Sequence, residues 1–253
     1  MTQEGRGPTG GGSAGNGPEP ADDELEEAGP AEGAAPVGED AEAEAEPTPG
    51  PDPRLKEAHA LEDRGAEEEA EVLYRAVVME HPRDVRARLG LGRLYLKRGE
   101  PGLALEQYEA ARAEAPDDVD VLLDLGAILS ALGRFTEAER ELRRAQRLDP
   151  ERADVYATIG TLYFKRGLYR QAEAELRRAI ELDDEHGEAY FYRGEALNQL
   201  NRVDEALEML EQAVQYDPGN AKAYYTMGIL YDRKHLRQEA ATMYRKAREV
   251  AAS

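Results

Sequence analysis

Residues 153–186 read ADVYATIGTLYFKRGLYRQAEAELRRAIELDDEH. Val155, Tyr156, Ile159, Gly160 and Tyr163 recur at helical spacing, and so do Ala172, Leu176, Ala179 and Ile180. Gly167 falls between the two runs, where the left-handed residue that ends a helix is easiest for glycine. The stretch predicts a hairpin of two helices. One such hairpin buries its apolar face only against neighbours of its own kind.

The chain supplies those neighbours. Pro82, Pro116, Pro150 and Pro218 stand at a 34-residue step, with Asp184 in the missing place, and Gly92, Gly126, Gly160, Gly194 and Gly228 follow in constant phase. Ala104, Ala138, Ala172, Ala206 and Ala240 keep the same step. Each precedes a large residue, Tyr108, Leu142, Leu176, Leu210 or Tyr244, and then Ala111, Ala145, Ala179, Ala213 or Ala247. Tyr95, Leu129, Tyr163, Leu197 and Tyr231 complete the pattern, and Gly99, Gly133 and Asn201 occupy the turn position of Gly167.

This combination resembles the tetratricopeptide repeat (TPR), a two-helix unit of the same length. The resemblance covers residues 51–253 as repeats 51–84, 85–118, 119–152, 153–186, 187–220 and 221–253. Tyr156, Tyr190 and Tyr224 stand where the family opens a repeat with tryptophan; Arg88 and Leu122 stand there elsewhere. The first repeat departs furthest, with Arg54 at that place and Ala58 replacing the glycine. The resemblance implies an all-α fold, a right-handed superhelical α-solenoid of antiparallel helix hairpins forming one continuous body.

Several packing expectations follow from this. A glycine inside a helix costs about 1 kcal/mol relative to alanine, so close approach at small residues such as Ala172 and Ala179 is the expected compensation. Glu139 with Arg143, and Glu173 with Arg177, are spaced to pair one turn apart. Asp52-Pro53 suits a helix start, and the acidic first repeat suits an N-terminal cap. The last repeat lacks the extra solvating helix of many such arrays, which predicts exposure of Met243, Ala247 and Val250 and offers an edge for self-association.

Residues 1–50 form a segment of another kind. They hold 11 Gly, 7 Pro and 13 acids against Arg6 as the single base, so −12 of the chain's −21 net charge lies there. Such a composition cannot build a core and predicts a disordered acidic tail, either a solubilising leader or an arm that docks on the solenoid. A basic stripe of Arg143, Arg144, Arg177, Arg178, Arg245 and Lys246 is the candidate receiver. The overall negative charge argues against nucleic-acid or anionic-membrane partners.

Candidates for chemistry are few. Without cysteine there are no disulfides, thiolate metal sites or Cys nucleophiles. His59, His81, His186 and His235 are scattered without metal-ligand spacing and read as structural polar residues. Gly10–Gly12 lacks the strand and Lys-Ser or Lys-Thr of a phosphate loop. No basic leader or apolar run marks a signal or a membrane span, which makes a cytoplasmic protein the default expectation. The expected protein is not an enzyme and needs no cofactor or metal.

In the TPR family the first helix of each repeat lines a concave groove. Carried onto this sequence, the groove begins with Arg86, Arg93 and Lys97 beside Leu89 and Leu96, and turns acidic at Asp120, Asp124 and Asp154. It continues through Thr158, Thr161 and Phe164 to Glu188, Phe191, Tyr192, Glu195 and Asn198, and ends on Lys222, Tyr225 and Ile229. The central acids replace the lysines and asparagines with which one subgroup clamps a terminal carboxylate, so that mode of recognition is not expected.

The implied function is a non-catalytic adaptor or scaffold that binds a peptide or helix segment with apolar anchors and Lys or Arg between them. The alternatives are a scaffold self-assembling through the C-terminal edge, or a non-catalytic subunit of a larger complex. The expected state is a monomer or a weak self-associate.

Overall fold

The computed structural model describes residues 50 and 52–252; the rest of the acidic segment, and every expectation resting on it, lies outside the described residues. Among the described residues the secondary structure is helical: α1 Pro53–Asp63, α2 Glu67–Glu80, α3 Val85–Lys97, α4 Pro101–Glu114, α5 Val119–Ala131 and α6 Phe135–Leu148. The second half repeats the arrangement as α7 Ala153–Lys165, α8 Tyr169–Leu182, α9 Gly187–Gln199, α10 Val203–Tyr216, α11 Ala221–Arg233 and α12 Arg237–Ala251. Odd and even helices pack in pairs, and each pair packs on the next, giving an α-solenoid.

The hairpin turns, and the starts of five of the six described first helices, are explained locally. Gly65, Gly99, Gly133, Gly167, Asn201 and His235 hold positive φ between the paired helices. The amide that follows each of them donates back into the last turn of the first helix, as Leu168 N–H does to Tyr163 O at 2.9 Å. This is the Schellman closure that satisfies orphan carbonyls. His235, read from sequence only as a structural polar residue, is thus the turn residue of the last hairpin. Asp52, Asp84, Asp118, His186 and Asn220 cap the starts of first helices through side-chain acceptors.

The glycine column has a different packing partner from the one expected. A Cβ on Gly160 would lie 2.5 Å from Leu176 Cγ, and the same relation joins Gly126 to Leu142, Gly92 to Tyr108, Gly194 to Leu210 and Gly228 to Tyr244. The large residue between the two alanines makes the nearest contact, and at Gly194 the carbonyl of Ala206, the equivalent of Ala172, also comes within 3.2 Å of the added Cβ. Removing the Cβ lets a bulky side chain lie on the backbone of its partner helix and bury there; Leu142, Leu176 and Leu210 are fully buried. In the first hairpin Ala58 occupies the glycine place, and the Tyr74 ring lies instead against Gly90 of α3.

The expected one-turn ion pairs are also replaced by longer-range ones. Glu139 accepts from Tyr163 Oη at 2.6 Å and from Arg166 at 2.6 Å, while Arg143 donates to Tyr163 Oη at 2.8 Å and to Glu175 at 2.9 Å. Glu173 accepts from Arg193 rather than Arg177. The helix faces meant for solvent are the faces on which the next hairpin sits. At the C-terminal edge Ala247 is buried, and Met243 and Val250 are half-buried, so the exposed apolar edge expected from these three residues is not formed by them.

Candidate functional site

The face built by the first helices changes character along the array. Near its N-terminal end Arg93 and Lys97 approach Glu62 of α1 at 3.5 and 4.0 Å. The same carboxylate accepts from Tyr74 Oη at 2.5 Å, and His59 Nδ1 lies 3.0 Å from that hydroxyl. Burial, with Glu62 beside it, pushes the Tyr74 hydroxyl well above its ordinary range. Two bases of the sequence-derived basic patch are therefore engaged within the array, which leaves exposed Arg86.

Two of the three central acids are engaged within the array as well. Arg152 joins Asp120 at 2.5 Å to Asp154 at 3.3 Å, and His186 Nε2 lies 3.4 Å from the other Asp154 oxygen. Thr158 Oγ1 donates to the Asp154 carbonyl at 2.7 Å, one turn back. Asp124 has no such partner: it is half-buried, and burial pushes its carboxyl up from the usual aspartate range.

Beyond this point the aromatic residues come together. Phe164 of α7 packs on Tyr192 of α9 with centroids 5.6 Å apart, and Tyr192 on Phe191 at 5.1 Å. Tyr225 of α11 is 56% exposed and leans on Tyr244 of α12 at 5.6 Å. Asn198 is taken by Arg233, which donates at 2.8 Å.

Three adjoining depressions run along this half. The first, about 220 Å³, is polar and includes Ser130, Asp154, Thr158, Thr161 and His186. Glu188 and Tyr192 belong both to it and to the second, about 500 Å³. Phe191, Ala221 and Lys222 in turn belong both to the second and to the third, a mainly apolar pocket of about 690 Å³ around Glu195, Thr226, Tyr225 and Tyr244. The shared walls make one trough from α5 to α12.

Tyr244, Ala247, Arg248 and Ala251 of α12 were not assigned to the groove from sequence, because only first helices were carried over. No described helix covers this face of α12, so its second-helix residues join the site. Ser130 and Lys165 were missed because they lie on groove helices at places the carry-over did not include, and His186 because it caps α9 from the preceding turn.

The basic stripe of the second helices is mostly self-paired. Arg144 meets Asp117 at 2.7 Å, Arg178 meets Glu181 at 3.1 Å, and Lys246 lies over the Tyr224 ring at 5.5 Å. No helix of the described residues is long and apolar enough to cross a membrane.

Residues 21–253 match the family model of the cilia and flagella-associated protein 70 C-terminal domain. The chain belongs to that TPR family. No curated protein matches the sequence. Among solved structures the array is similar to MamA at 28% identity and a TM-score of 0.54, over 64% of this chain and 95% of that one. It is also similar to pilF of Pseudomonas aeruginosa, at 23% identity and a TM-score of 0.65 over 76% and 87% of the two chains. A TPR protein of Parabacteroides merdae gives 18% and 0.67 over 78% and 77%. The last two likenesses show the fold alone. The family match is what places the chain among TPR arrays.

Proposed function

We propose that this TPR chain is a non-catalytic adaptor whose trough holds a segment of another protein, with residues 51–253 as the binding body and the acidic residues 1–50 as a leader. The observation that carries the reading is the continuity of the trough: polar at α5 to α7, aromatic at α9, apolar at α11 to α12. A segment laid along it finds hydrogen-bonding groups at one end and an aromatic anchor site at the other, the composition from which binding hot spots are built. Tyr225 is the most exposed aromatic of that surface and contributes little to the core, so it is the residue to test. Tyr225→Ala is expected to weaken partner binding at least about 10-fold, a loss of about 1.4 kcal/mol, with an unchanged melting temperature. Undiminished affinity in a folded Tyr225→Ala chain would move the site elsewhere.

A second reading, self-assembly through the last hairpin, draws on α12, which buries only Ala240 and Ala247 where α10 buries Ala206, Leu207, Leu210 and Ala213. Light scattering over a concentration series separates the two, because a constant monomer mass counts against assembly.

A further inference from the structure

The apolar end of the trough contains one group that its surroundings do not explain. Glu195 Oε1 is shielded from solvent and has no hydrogen-bond partner, although the side chain borders a pocket with Phe191, Tyr225 and Tyr244. Burial pushes the Glu195 carboxyl above the usual range, with Thr226 drawing it partly back. A carboxylate held in such a place is unfavourable unless a cation or a strong donor meets it. The solenoid itself does not require an acid there: the same place in the other repeats holds His59, Arg93, Ala127, Thr161 and Ile229. Lys222 and Arg248 border the pocket too, but both are exposed, and neither forms an ion pair with Glu195.

We propose that this pocket receives a lysine or arginine side chain of the bound segment, its aliphatic stem against Phe191 and Tyr225 and its charged head paired with Glu195. The inference rests on the trough being a peptide-binding surface. Long basic side chains bury their methylene stems on apolar surface while the charge seeks a polar partner, which is the combination this pocket offers. The terminal torsion of glutamate is broad, so the unpaired oxygen turns toward an entering cation at small cost. The pocket, at about 690 Å³, exceeds one side chain, and apolar neighbours of the cation fill the remainder. Exposed Lys222 and Arg248 disfavour a uniformly basic segment and select acids beside the central cation. The preferred sequence is thus one basic residue among apolar ones, flanked by acids.

The test is a selection of phage-displayed random peptides of about 16 residues on the intact chain and on Glu195→Gln. Selected peptides and twins with methionine in place of the basic residue are then measured by fluorescence anisotropy. On the intact chain a recurrent Lys or Arg is expected, and its replacement should weaken binding at least about 10-fold. In Glu195→Gln, whose folding is checked by its melting curve, that difference should shrink to about 2-fold or less. Selected peptides with no recurrent basic position, or a basic preference that survives in Glu195→Gln, would overturn the cation pocket and leave the trough standing. Peptides that bind Tyr225→Ala as tightly as the intact chain, or a selection that yields none, would overturn the trough and the pocket together.

Discussion

Arg193 of α9 donates to Glu173 of α8 from Nε at 3.3 Å and from Nη2 at 3.1 Å, and both side chains are mostly buried. At the place of Arg193 the other first helices from α3 onward carry Leu91, Leu125, Ile159 and Met227, and at the place of Glu173 two second helices carry Leu105 and Leu207. The ion pair therefore stands where the junctions of α4 with α5 and of α10 with α11 use the aliphatic pairs Leu105–Leu125 and Leu207–Met227, while α2 and α6 also carry an acid, Glu71 and Glu139, at the place of Glu173. The buried apolar residues separate there into two clusters, one reaching Ala196 and the other beginning at Leu197.

Breaking a buried pair from one side leaves an uncompensated charge and costs about 3–5 kcal/mol, whereas an apolar pair of similar volume is often neutral or more stable. Glu173→Leu and Arg193→Met are each expected to lower stability by about 3 kcal/mol. The double variant, which copies Leu207 and Met227, should recover the original stability or exceed it. Urea unfolding of the four chains gives the coupling; additive losses would show that the two residues do not act as a pair.

Gly160→Ala removes a helix-interior glycine, which by propensity alone favours folding by about 1 kcal/mol. The added Cβ meets Leu176 Cγ at 2.5 Å, and overpacking of this kind costs about 1–3 kcal/mol. A net loss of stability is expected in the native background and a reduced or reversed effect in Leu176→Ala. Equal effects in both backgrounds would separate the glycine from Leu176.

His235 holds φ 61° at the last hairpin turn, where four other hairpins use glycine. The left-handed conformation costs a non-glycine residue about 1–2 kcal/mol, part of which glycine loses again through about 0.5–1 kcal/mol of backbone entropy. His235→Gly should thus stabilise the chain by about 0.5–1 kcal/mol, read as a higher urea midpoint. Asn201→Gly should gain less, because Asn201 tolerates this conformation and its side-chain oxygen accepts from Arg233.

Folding raises the Asp124 carboxyl above its ordinary 3.8, through burial first and the neighbouring Asp120 charge as a further raising cause. The folded state therefore binds this proton more tightly than the unfolded chain. The resulting stability is fully present below the ordinary aspartate value and is lost as pH rises through the raised one. Asp124→Asn should stabilise the chain at neutral pH, with the gain shrinking toward zero near pH 4. Melting temperatures across that range check the sign; a gain that grows in acid would contradict it.

The repeat phase was legible because it is written in small, local signals. Gly99, Gly133, Gly167 and Asn201 announce turns by what their backbones tolerate, and His235 became legible only through its 34-residue distance from Asn201. The groove residues were legible as positions but not as states. Arg93 and Asp154 both lie on the first-helix face, yet Glu62 holds one and Arg152 with His186 holds the other.

The helices, most of their ends and the residue types that let one hairpin stack on the next could be read from the chain alone, because each depends on neighbours within a few positions or on a fixed period. Which charges are satisfied and which surface is open followed from packing between hairpins. Glu139 finds Arg166, 27 positions away, instead of Arg143 one turn away, and Glu195 finds no partner for one oxygen at all. The cause is geometric: stacking sets side chains from successive hairpins against one another, and burial then strengthens the contacts made and raises the cost of those left unmade.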